Sequence, residues 1–162
     1  MAVYESIKPE KEQDIKQFLS NPPEPEMSID YEVSKKDFVN SGKASSDIKL
    51  FLKKLGVSPE VLRRVAVASY EAEINITAHS EGGKIICNIF PDLVQIFFID
   101  IGKGIKDLEK ALQPGFSTAD DLVREMGFGA GLGLPNIKKN SDYMKITSEY
   151  EDHTELEIII FY

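Results

Sequence analysis

Cysteine occurs once in the 162 residues, at Cys87, so no internal disulfide can brace the fold. Cys87 sits in an apolar, strand-like run, where packing in the interior is its expected role. Long apolar stretches are missing as well. None approaches the roughly 18 residues that cross a bilayer, and the N-terminus lacks the apolar core of a secretory signal, so the cytoplasm is the expected location. Positive charge is also in short supply: 19 Lys and Arg against 27 Asp and Glu give a formal net charge of −8. Such a chain repels phosphate backbones, which excludes a general nucleic-acid or anionic-membrane surface. A phosphate ligand would have to be held locally, by backbone N–H groups, a divalent cation or a few placed side chains. Internal repeats and low-complexity segments are absent too. The hydrophobic fraction of 42% and charged fraction of 28% are those of an ordinary globular domain.

Residues 1–27 read as an N-terminal appendage. A short amphipathic helix over 10–19 is followed by the stiff linker Asn21-Pro22-Pro23-Glu24-Pro25. The segment reads either as a loosely ordered tail or as a helix docking on the core. Residues 28–162 form the main domain. A strand is expected over 28–33 and a helix over 36–55, stopped by Gly56. A second helix starts at Ser58-Pro59-Glu60 and runs to about residue 80. Strands over 84–90 and 93–99 join through Pro91-Asp92. A short helix over 105–112, a long loop over 113–128, a helix over 134–141 and strands over 143–150 and 154–161 complete the order. Strands joined by tight turns imply an α+β fold: a mixed, mostly antiparallel sheet with helices on one face, a two-layer sandwich.

Three clusters carry chemistry. On the second helix Glu71 and Asn75 stand four residues apart, one turn along the same face. A solvated face would explain them; a bound magnesium ion and a polarised hydroxyl or water would satisfy both. Asp100, Gly102 and Gly104 follow an apolar strand. Asp100 can emerge at the sheet rim to accept a hydrogen bond from an exocyclic amino group, and the glycines let a flat ring approach. A plain strand-ending turn gives the same pattern. Gly127, Gly129, Gly131 and Gly133 alternate just before a helix, a density suited to backbone N–H groups converging on an anion at a helix N-terminus. The Gly-Lys-Ser/Thr ending of a Walker A loop is missing, and no apolar strand precedes the cluster as a dinucleotide-binding fingerprint requires.

In this order, the E-x-x-x-N helix, the D-x-G-x-G turn and the G-x-G-x-G-L-G turn resemble the GHKL (Bergerat-fold) ATPases over residues 28–162. The run Glu71-x-x-x-Asn75-x-x-x-His79 resembles the anti-sigma regulatory factors of the SpoIIAB, RsbW and RsbT type, and the loop Pro114-Gly115-Phe116-Ser117-Thr118 and the turn GFGAGLGLPNIKK are most similar to the RsbT-like branch. The resemblance implies ATP and Mg2+ as cofactors. It makes Glu71 the general base and Asn75 the metal ligand, with Asp100 reading adenine directly and through a water shared with Thr154. Gly102, Gly104 and Ile105 would give the ring clearance, and Gly127, Gly129, Ala130, Gly131, Leu132 and Gly133 would wrap the phosphates. Arg124, Lys138 and Lys139 either neutralise phosphate or simply face water.

The implied activity is that of a serine/threonine protein kinase in a partner-switching pathway, phosphorylating a STAS-domain anti-anti-sigma-like protein. A sigma factor is a second implied partner and a homodimer an implied assembly. A nucleotide-dependent binding module with little phosphotransfer would need the same pocket.

Overall fold

The computed structural model describes residues 2–102, 112, 133–149 and 151–162. Its longest helix begins where the sequence supplies a cap. Ser58 Oγ accepts from the Val61 N–H at 3.5 Å, Pro59 occupies the first turn, and Glu60 lies at the positive end of the dipole. The chain order is β1 (Ala2–Ile7), α1 (Glu12–Ser20), β2 (Met27–Ser34), α2 (Lys43–Lys54), α3 (Pro59–His79), β3 (Ser80–Ile89), β4 (Leu93–Gly102), α4 (Gly133–Asn140), β5 (Tyr143–Glu149) and β6 (His153–Phe161).

The strands form one sheet in the order β1-β5-β6-β4-β3-β2, and every neighbouring pair is antiparallel. Alternate residues point to opposite faces. Val94, Ile96 and Phe98 of β4 and Leu156, Ile158 and Ile160 of β6 share the main core with Ile48 and Leu52 of α2, with Leu62, Val65, Ala68, Ala72 and Ile76 of α3, and with Ile137 of α4. The α3 residues recur at intervals of three and four, the period that keeps one helix face on a sheet. Among the described residues, α2, α3 and α4 therefore cover one face, and Cys87 lies fully buried beneath them.

The intervening residues Leu93, Tyr143 and Ile159 point the other way, where Ile15 and Phe18 of α1 pack on them. Phe18 meets Phe90 edge to face, with ring centroids 5.0 Å apart. Residues 2–20 thus contribute an edge strand, with Ala2 opposite Ser148 and Ile7 opposite Tyr143, and a helix on the far face of the sheet. The strand was not apparent in the sequence. Its alternation of Ala2, Tyr4 and Ser6 with Val3, Glu5 and Ile7 is a weak period-two signal.

The expected helix over 36–55 begins seven residues late, at Lys43. Gly42 has φ 95°, outside the helical region, and turns the chain just before α2. Upstream of it the Lys36 N–H donates to the Thr77 carbonyl at 2.9 Å, holding this loop against α3 instead of letting it wind on.

Candidate functional site

Glu71 and Asn75 occupy the C-terminal half of α3, half-buried, on the side that meets α4. The first residue of α4 is Gly133. A Cβ there would lie 3.2 Å from Asn75 Oδ1 and 3.3 Å from Glu71 Oε2. The missing side chain is what lets the start of α4 stand over both polar groups. One turn further on, Asn136 Nδ2 donates to Glu71 Oε1 at 3.4 Å.

A second carboxylate on α3, Glu73, is engaged differently. It is 3% exposed and accepts from the backbone N–H groups of Gly42 at 3.0 Å, Ala44 at 3.4 Å and Ser45 at 3.0 Å. Those are the N–H groups that the start of α2 leaves without helical partners. Glu73 is therefore a cap supplied from another helix, and Glu71 is the carboxylate left to face α4. Glu73 is not singled out by the sequence pattern. Its one signal is a lone acid within an apolar stretch, two residues from Glu71 and so on a different side of the helix.

At the end of β4, Asp100 continues the alternation of Ile96 and Phe98 and so points toward the helical layer. It stands opposite Thr154, whose N–H donates to Asp100 Oδ1 at 3.1 Å. The Thr154 hydroxyl is 3.1 Å from that of Ser148, which ties the ends of β5 and β6 to the same spot. Burial disfavours the ionised carboxylate and pushes the Asp100 pKa up from 3.8 to about 6. The Thr154 N–H and the charge of His153 pull in the opposite direction.

Gly102, two residues on, lies against the exit of α3: a Cβ there would come within 3.2 Å of the Ser80 Cα. Ser80 is five residues beyond Asn75, about 7.5 Å along a helix axis. Gly83 makes this closeness possible on the β3 side. A Cβ at that position would overlap the Ile99 carbonyl oxygen, so β3 and β4 approach here as only glycine allows. The rim of β4 and the Asn75 end of α3 therefore border one region.

Gly104, Ile105, Gly127, Gly129, Ala130, Gly131, Leu132 and Arg124 lie outside the described residues. Lys138 has its ammonium 5.6 Å from the centre of the Tyr4 ring. Lys139 is exposed on the last turn of α4. The donor set suits a nucleotide with a hard divalent ion. Asn75 and Glu71 offer oxygen ligands beside the backbone of Gly133, and Asp100 is a carboxylate held partly away from water.

No protein-family model matches the chain. Individual relatives do. The serine/threonine-protein kinase RsbT of Bacillus subtilis is 30% identical over 111 residues, which are 66% of this chain and 77% of that protein. The anti-sigma F factor of Clostridium beijerinckii is 30% identical over 138 residues, 82% of this chain and 91% of the relative. The chain belongs to the family of the anti-sigma F factors and RsbT-type kinases. A third member, the anti-sigma F factor of Clostridium novyi, is 27% identical over 123 residues, covering 72% of this chain and 82% of its own. In shape this family member matches a chain of the SiaB–SiaC complex from Pseudomonas aeruginosa. The TM-score is 0.51 at 13% identity, over 93% of this chain and 97% of that one, a likeness of fold. Among the described residues no helix is long and apolar enough to cross a membrane.

Proposed function

We propose that the chain is an ATP-dependent protein serine/threonine kinase acting on a STAS-type partner in a partner-switching pathway of the cytoplasm. The observation that carries this reading is the seat of Gly133 against both Asn75 and Glu71, a carboxamide and a carboxylate facing the start of a helix.

On this reading Asn75 Oδ1 would hold Mg2+. When bound, the ion neutralises charge on the transferring phosphoryl group. Glu71 accepts the proton of the incoming hydroxyl, and Asn136 keeps its carboxylate directed toward α4. Asp100 accepts a hydrogen bond from the adenine amino group, with Oδ1 steadied by the Thr154 N–H. The start of α4 would turn the N–H groups of Gly133 and Leu134 toward the phosphates. Positioning and charge neutralisation would provide most of the rate. A sigma factor as second partner and a homodimer belong to the same proposal and rest on the family alone.

The test is direct. The chain is incubated with γ-labelled ATP, magnesium and a candidate STAS-domain protein. Label should pass to the partner's Ser or Thr and should not in Glu71→Ala. Tight ATP binding with no transfer to any candidate would replace the kinase with a nucleotide-dependent binding module.

A further inference from the structure

Away from Asp100, a cleft of about 650 Å³ opens between the segment after β1, the first half of α3 and the outer side of α4. That volume falls within the range of roughly 300–1,000 Å³ typical of ligand clefts. Its charge departs from that of the chain as a whole. The net charge of the protein is −8, yet the cleft gathers Lys8, Lys11, Arg63, Arg64 and Lys139 against the carboxylates Glu10, Glu60 and Asp142.

One pair is already used within the fold. Arg64 donates to Asp142 Oδ1 at 2.8 Å, with the two side chains 20% and 6% exposed. The other oxygen of Asp142 accepts from the Phe161 N–H at 2.8 Å, and its carbonyl accepts from the Lys8 N–H at 2.9 Å. Asp142 therefore fixes the floor of the cleft to three parts of the chain. Lys8 Nζ reaches the Lys139 carbonyl at 2.9 Å, and Lys11 rides over the Phe161 ring at 5.0 Å. These two contacts hold the ammonium groups in place without consuming their charge. Arg63 and Lys139 are exposed and have no carboxylate partner among the described residues.

The direction of the cleft matters as much as its charge. Val67, which lines it, lies one turn before Glu71 on α3. Asn136, also in its wall, is the residue that donates to Glu71 Oε1. The cationic walls thus lead to the carboxylate that faces α4. Their charges come from three chain segments, which suits a row of carboxylates better than a single small anion.

We infer that this cleft is the docking groove for an acidic segment of the acceptor protein, seating it so that its hydroxyl arrives at Glu71. The inference rests on the kinase reading for the role of Glu71, but binding in the cleft can be measured without it.

The probe is a fluorescein-labelled peptide Glu-Glu-Glu-Ser-Glu-Glu, titrated by anisotropy against the full chain, with MgATP affinity measured on the same samples. Arg63→Glu and Lys139→Glu should each weaken peptide binding by about tenfold, as expected for reversal of a charge at an interface, with MgATP affinity unchanged. Lys49→Glu, an exposed reversal on α2, should change neither. Equal weakening by all three variants, no peptide binding by the unmodified chain, or full displacement of the peptide by an equal concentration of inorganic phosphate would each overturn the docking groove. Failure of the unmodified chain to bind MgATP would instead sink the kinase reading, whatever the peptide does.

Discussion

Asn75 and Gly133 touch across the junction of α3 and α4, and the space between them is too tight for an added methyl group to enter at ordinary contact distance. Two residues far apart in sequence are thus brought to one point by helix packing. The start of α4 is delivered to the polar face of α3.

Gly133→Ala should therefore displace the Asn75 and Glu71 side chains while leaving the core alone. Small misplacements of positioned groups are costly, so MgATP affinity should fall on the order of tenfold or more. The thermal midpoint should stay close to that of the parent. Titration calorimetry reads the first and a melt the second; undiminished affinity would remove Gly133 from the binding site.

Asp100 links the site to pH. Its carboxyl titrates near 6 in the folded chain against 3.8 when free, so the folded state holds the proton more tightly between those values. Stability owed to this group is then greatest below about pH 4, declines as pH rises toward 6, and stays at its lower level above. Asp100→Asn removes that decline and still offers an oxygen to the Thr154 N–H. The variant should equal or exceed the parent in stability at pH 7 and lose the advantage by pH 4, as followed by urea unfolding at both values. On the proposed function it should also lose its preference for ATP over GTP. A variant less stable than the parent at neutral pH would contradict the burial argument.

Glu73→Ala leaves three N–H groups at the start of α2 without their acceptor. Losing charge-assisted bonds to buried donors should lower the unfolding free energy by about 3 kcal/mol. Glu73→Gln, which keeps an acceptor oxygen, should fall between. Denaturant titration with an unchanged m-value would show the loss; a neutral Glu73→Ala would mean that water or a side chain caps α2 equally well.

How much of this was legible depended on range. The α3 N-terminus announces itself in Ser58-Pro59-Glu60, and the β3–β4 reversal in Pro91-Asp92, because each is fixed by neighbours in sequence. Glu71 and Asn75 share a face for the same local reason. The antiparallel sheet with helices on one face also followed from the strand order, as far as residues 28–162 are concerned. The late start of α2 was hidden because its cap comes from Glu73, a residue on another helix. The strand role of residues 2–7 was hidden because an edge strand is defined by its partner, here β5, and six residues of mixed polarity do not name one. Asn136 was missed for a similar reason: its meaning lies in reaching Glu71 across the helix packing, which no spacing within α4 encodes.

The pairing of β1 with β5 also bears on how the protein is made. Residues 2–7 emerge from the ribosome long before residues 143–149, and until then they have no strand to join. The sheet is completed at this edge by a contact spanning most of the chain, the kind that slows folding, and a nascent chain waits with that edge unfinished. A truncation that removes β5 would therefore undo both ends of the molecule at once.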